Sequence, residues 1–238
     1  MGKPTKGILV FIGLFPVYLL FWPVDAEPVV WDPPAAPEMK GQFEPNNYLQ
    51  NAEILGLNDG IGPEDVAVDE AGIMYAGYED GRIIKYDRLG NNLGIFVNTQ
   101  GRPLGMDFDG EGNLIIADAY KGLLRADQDG NLTTLTTEAD GIPFKFADDV
   151  DVAADGKIYF TDASYRYGLH DYRLDIMAHQ PYGRLLEYDP DTKTTTTLLS
   201  DLYFANGVAL SPGGEFVLVN ETSEYRVQKF WLKGEKSG

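Results

Sequence analysis

The feature that most constrains this chain is an internal repeat. Four stretches share one grammar: a short apolar alternation, a tight acidic or glycine-bearing turn, then a second β-rich run. They read EDVAVDEAGIMYAGYEDGRIIKYD, LGMDFDGEGNLIIADAYKGLLRAD, DDVDVAADGKIYFTDAS (resuming at GRLLEYD after an insertion) and NGVALSPGGEFVLVNETSEYRVQKFW. Gly72, Gly112, Gly156 and Gly214 sit at the turns, separated by 40, 44 and 58 residues. β-Branched and aromatic residues alternate around these turns, and no long helical period appears outside the N-terminal run. Repeats of about 40–50 residues built from four short strands are propeller blades. One such sheet cannot bury both its faces, so blades must pack around an axis, and a β-sandwich would not give four alignable units. The expected fold is all-β, a β-propeller over residues 48–238 with about four blades present.

Ahead of the repeats, Lys3 and Lys6 precede residues 7–24, an apolar run without a charge. Eighteen helical residues reach about 27 Å, close to the hydrocarbon thickness of a bilayer. Basic residues before the run and Asp25 and Glu27 after it predict a cytoplasmic N-terminus and a translocated C-terminal domain. Residues 1–26 thus read as a single-pass membrane anchor, with a cleaved signal segment and a secreted or periplasmic product as the alternative. Residues 27–47 hold five of the fourteen prolines and no periodic pattern, and read as an extended stalk.

The repeat also aligns a set of polar residues. Counting back eight positions from each turn glycine reaches Glu64, Leu104, Asp148 and Asn206. Equivalent positions at the start of the innermost strands face one end of a propeller's channel. A glutamate, an aspartate and an asparagine converging there form an oxygen-donor set, which suits calcium, a cation taking six to eight oxygens at about 2.3–2.6 Å. Neither histidine nor cysteine, the usual zinc ligands, stands at these positions. Glu64, Asp148 and Asn206 are therefore the expected Ca2+ ligands. The alternative is that each caps a strand end by bonding backbone groups, and Asp149 exchanges with Asp148 if the alignment slips by one.

A net charge of −18 argues against a nucleic-acid partner, which needs a basic face. The absence of cysteine excludes disulfides, thiolate metal sites and a cysteine nucleophile. Asn131 and Asn220 each begin an Asn-X-Thr sequon.

The blocks GPEDVAVD, DGRIIKYD, GRPLGM, IADAYKGLL, KIYFTDAS, YGRLLEYDP, FANGVALS and FVLVNETSEYRVQKFWLKG resemble strictosidine synthase-like proteins from about residue 48 to residue 234. That resemblance implies a six-bladed propeller, related more distantly to paraoxonases, gluconolactonases and the senescence marker protein. Those relatives bind calcium in the channel and hydrolyse lactones, aryl esters or phosphotriesters. Their ligand motif falls on Glu64, Asp148 and Asn206. Position 148 is often asparagine in the family, and Gln100 stands where a cysteine is common. Relatives continue for two further blades, so the expectation is an incomplete propeller.

The resulting functional expectation is calcium-dependent hydrolysis of a small-molecule ester or lactone. A strictosidine synthase-type condensation of an amine with an aldehyde is one alternative. A non-catalytic, calcium-stabilised binding platform is the other. His170 and His179 fall in the third-blade insertion, away from the paraoxonase histidine dyad, and read as exposed loop residues. Asp148 and Asp149 are the remaining candidates for the catalytic base. The tyrosine-rich insertion, residues 163–184, is expected to overhang the channel mouth as a lid or as a protein-contact loop. Asp118, Tyr120 and Lys121 read as packing and turn residues.

Overall fold

All four turn glycines adopt left-handed φ angles, +79°, +79°, +86° and +64° for Gly72, Gly112, Gly156 and Gly214. A side chain at such an angle is strained, which is why glycine recurs there. Each closes the turn between the first two strands of an antiparallel meander in the computed structural model, which describes residues 13–238. The first sheet holds β1 (Val66–Val68), β2 (Met74–Gly77), β3 (Arg82–Tyr86) and β4 (Asn92–Asn98). The second holds β5 (Pro103–Phe108), β6 (Leu114–Asp118), β7 (Gly122–Ala126) and β8 (Leu132–Thr136). A small hairpin of β9 (Glu138–Ala139) and β10 (Ile142–Pro143) leads into the third. That sheet holds β11 (Ala147–Val152), β12 (Ile158–Asp162), β13 (Gly183–Asp189) and β14 (Thr194–Leu202), and the fourth β15 (Ala205–Leu210), β16 (Phe216–Glu221) and β17 (Arg226–Trp231). The four repeats are four propeller blades.

The inner strands adjoin in the order β1, β5, β11, β15. Strands β6 and β12 are buried along their whole length, because neighbouring blades cover both faces. That is why LIIAD and IYFTD run apolar without alternation. Met106, Leu114, Ile116 and Leu124 meet Ala67 and Ile83 across the first interface. Ile115 and Leu123 meet Val150, Phe160 and Leu186 across the second, and Tyr159 and Leu185 meet Val208, Val217 and Val219 across the third. Each large side chain so buried stabilises the fold by about 1.5–3 kcal/mol.

The insertion between β12 and β13 carries helix α1 (Tyr172–Ala178), which ends at His179 in a left-handed conformation, φ +49°. Residues 25–31 dock on it. Val29 N–H donates to the Ala178 carbonyl at 3.0 Å, Tyr167 Oη–H donates to the Asp25 carbonyl at 2.7 Å, and Arg166 pairs with the Asp25 carboxylate at 3.0 Å. Trp31 stacks on His179 at 4.3 Å between centroids. The stretch read as stalk is thus fastened at its start, while residues 32–47 run exposed apart from a 3-10 turn at Gly41–Phe43. The apolar run at 7–24 begins outside the described residues. Its described part is helical over 13–21, and among the described residues no helix is long and apolar enough to cross a membrane.

Candidate metal centre at the channel mouth

Strands β5, β11 and β15 share one irregularity. Each carries an extra residue against its partner, between Pro103 and Met106, between Ala147 and Val150, and between Ala205 and Val208. The bulged pairs are Leu104-Gly105, Asp148-Asp149 and Asn206-Gly207, and Glu64-Asp65 stands in the same place ahead of β1. A bulge breaks the in-out alternation and re-aims side chains, which lets two consecutive residues serve the same end of the channel.

The consecutive acids divide into two kinds. Asp65 Oδ2 accepts the Met106 N–H at 2.8 Å from the next blade. Asp149 accepts twice, Oδ1 from Val150 N–H at 2.9 Å and Oδ2 from Val208 N–H at 2.7 Å. Lower in the channel, Asp107 Oδ2 accepts Val152 N–H at 2.9 Å and Asp151 Oδ2 accepts Leu210 N–H at 2.7 Å. These four are strand-to-strand clamps. Glu64 and Asp148 accept no hydrogen bond and form no ion pair among the described residues. Asp148 is 3% exposed, and its Oδ2 is buried without a partner.

Electrostatics separates them further. Burial holds the Asp148 carboxyl well above the usual carboxylate range, and Glu64, Asp149 and Asp162 push it higher. Glu64, exposed at the mouth, is also raised by partial desolvation and by Asp65, with the Arg102 guanidinium opposing. Asp149 is pushed up to about 6, first by burial, against its two backbone donors. A buried carboxylate surrounded by like charges needs a proton or a cation. Asn206 stands at the same bulge position, its carbonyl fixed by the buried Thr161 Oγ1–H at 2.6 Å, while Thr161 Oγ1 accepts Asp149 N–H at 3.1 Å. Among the described residues no three His, Cys, Asp or Glu side chains are grouped closely enough to hold a metal by themselves. A calcium ion held here would take the two free carboxylates together with neutral oxygens, and calcium accepts amide oxygens and waters beside carboxylates.

A second tier of acids holds the loops around the mouth. Asp118 Oδ1 accepts N–H groups from Arg102, Tyr120 and Lys121. Asp162 Oδ1 accepts Phe146 N–H and its Oδ2 meets Arg184 at 2.6 Å, and Glu221 Oε2 accepts Tyr203 N–H. Asp118 thus serves packing and turn formation, as read from the sequence. Above Leu104, the insertion's Leu169 and Tyr172 pack with Phe146 and Phe204 into an apolar wall. Beside it opens a cavity of about 730 Å³ lined by Arg102, Tyr120, His170 and Arg173 among others. His170 is exposed and lies 3.3 Å from Tyr120 Oη. His179, by contrast, is only 10% exposed, wedged between Trp31 and Tyr203 with Nε2 3.0 Å from Glu224. A cavity of similar size, about 740 Å³, lies among the turn loops after the inner strands, lined by Asp109, Asp155 and Ser211. The acids there lie in or beside the hairpin turns and are not brought together by bulges.

Comparison with known families identifies the fold's relatives. The strictosidine synthase family model aligns with residues 148–235, and the strictosidine synthase-like N-terminal model with residues 41–86. The chain belongs to the strictosidine synthase-like family. This strictosidine synthase-like chain is 46% identical to strictosidine synthase-like protein 6 of Arabidopsis thaliana, over 79% of its own length and 52% of the relative's. It is 38% identical to the adipocyte plasma membrane-associated protein of Bos taurus, over 92% of its length and 57% of the relative's. The chain spans about half the length of the curated relatives it matches. Among solved structures, a gluconolactonase of Xanthomonas campestris superposes with a TM-score of 0.60 at 19% identity, covering 74% of this chain and 60% of that one. A virginiamycin B lyase of Staphylococcus aureus superposes at 0.51 and 11% identity, over 70% and 50%. Both likenesses establish the propeller fold.

Proposed function

We propose that this chain binds calcium through Glu64, Asp148 and Asn206 and hydrolyses esters or lactones at that centre, with the propeller held outside the cytoplasm by the N-terminal apolar run. One observation carries the reading: a carboxylate buried to 3% exposure, with an unpartnered Oδ2, beside a second carboxylate that also lacks a partner. The gluconolactonase likeness favours the lactone class, and the bovine relative's name favours a membrane setting.

When bound, calcium supplies a Lewis acid that polarises a carbonyl and stabilises the developing oxyanion. The chain's residues supply the rest. Asp149 is committed to two backbone donors, so it fixes the inner strands and positions Asp148 beside it. Asp148 Oδ2 has no competing donor, which leaves it open to the metal, and Asp148 and Asp149 remain the candidates for the base. The wall of Leu169, Tyr172, Phe146 and Phe204 keeps one side of the site dry.

Calorimetry with calcium on the full chain in detergent tests the reading, beside Glu64→Ala and Asp148→Ala. Micromolar binding that both substitutions abolish, with aryl-ester or lactone turnover lost on chelation, is the expected result. A folded protein that binds no calcium overturns the metal centre. Calcium binding without turnover of either substrate class leaves the binding-platform alternative.

A further inference from the structure

The chain carries far more negative than positive charge, yet among the described residues two guanidinium groups lining one cavity form no ion pair with a carboxylate. Arg82, Arg166, Arg184 and Arg226 each meet an Asp or Glu. Among the described residues Arg102 and Arg173 meet none, nor do Arg88 and Arg125 elsewhere, and Arg102 and Arg173 both line the cavity of about 730 Å³ beside Glu64.

Arg102 is built in. It is half-buried, Nη1–H donates to the Gly77 carbonyl at 3.2 Å, and the rest of the fork is left free. The guanidinium lies against Gly62, where an added Cβ would stand 3.0 Å from Nη1 and 3.3 Å from Nη2, two residues ahead of Glu64. Arg173 reaches the same cavity from α1, with its Cζ 5.7 Å from the centre of the Tyr172 ring. Tyr120 and His170, 3.3 Å apart, add a hydroxyl and an imidazole between them. Glu79, at the rim, is the one carboxylate of the lining, and it pairs with neither arginine. The apolar wall of Leu169 and Tyr172 completes the cavity.

We infer that this cavity is an anion subsite, in which Arg102 and Arg173 hold a carboxylate on the substrate away from its reacting carbonyl. A planar, free guanidinium fork matches a carboxylate in geometry and charge. The substrate class is then an ester or lactone bearing a second, unreacted carboxylate, with its carbon chain along the apolar wall. This assignment rests on the hydrolase reading for the reaction, but the binding of the anion does not.

The test compares mono-(4-nitrophenyl) glutarate with neutral 4-nitrophenyl butyrate on the calcium-loaded full chain, together with calorimetric binding of glutarate. The expected result is a kcat/KM about tenfold higher for the anionic ester, falling toward parity in Arg173→Gln and in Arg102→Gln, with glutarate affinity falling in parallel. Arg173 is exposed on a surface helix, so its substitution leaves folding intact where Arg102→Gln does not. Equal turnover of both esters and no glutarate binding overturns the subsite and leaves the hydrolase standing. Arginine-dependent glutarate binding without turnover of either ester keeps the subsite and overturns the hydrolase. Glutarate binding that both substitutions leave unchanged also overturns the assignment.

Discussion

Asp175, on the inner face of α1, is 1% exposed, and its Oδ2 finds no partner. Burial pushes its carboxyl up to about 6, Asp162 adds to this, and Ser164 and His179 oppose it. The folded state therefore holds the proton more tightly than the unfolded chain. Stability falls as pH rises from about 4 to about 6 and stays lower above that, the reverse of an ion-paired aspartate. Asp175→Asn is expected to stabilise by about 1–3 kcal/mol at pH 8, with the advantage vanishing near pH 4. Paired urea titrations at the two pH values check this, and an advantage that is the same at both would reject it. Asp162 shows the contrasting case, because Arg184 lies 2.6 Å away and pulls against the burial that raises it.

At the scale of the element, the bulge decides which acid does what. Gly105 is the second blade's counterpart of Asp149, and a Cβ there would stand 2.5 Å from the Asp149 Cα and 2.9 Å from Val150 N. Gly105→Ala must push β11 away from β5, so it should cost about 1–3 kcal/mol. It should also disturb the Asp149 clamp, and the urea midpoint measures the loss. The positions of Glu64, Asp148 and Asn206 were legible in the sequence because turn glycines count them off at a constant distance. Their division from Asp65 and Asp149 was not legible. An acid that accepts a neighbouring blade's N–H and an acid left free look alike in a pattern of alternating residues, and only the bulge separates them. Arg102 was visible inside GRPLGM, but nothing local announced that its fork would lie unpaired against Gly62. His179 was read as exposed because its partners, Trp31, Tyr203 and Glu224, lie on segments far from it in the chain.

At the scale of the whole molecule, the segment 25–31 and the insertion form one unit over the third and fourth blades, joined through Trp31, His179 and Tyr225. Trp31→Ala should release that segment to protease at residues 25–47 at least tenfold faster, while the propeller's melting temperature moves little. Limited proteolysis followed by mass spectrometry reads the cut sites, and an unchanged cleavage rate would show that the docking adds nothing. The four clamps carry a direction as well. Asp65 serves Met106, Asp107 serves Val152, and Asp149 and Asp151 serve Val208 and Leu210, so each acceptor precedes its donor in the chain. A ribosome delivers this chain in that same order. At these four clamps each newly emerged inner strand finds its acceptor already made on the blade before it, so none of the four clamped amides waits for a residue still to come.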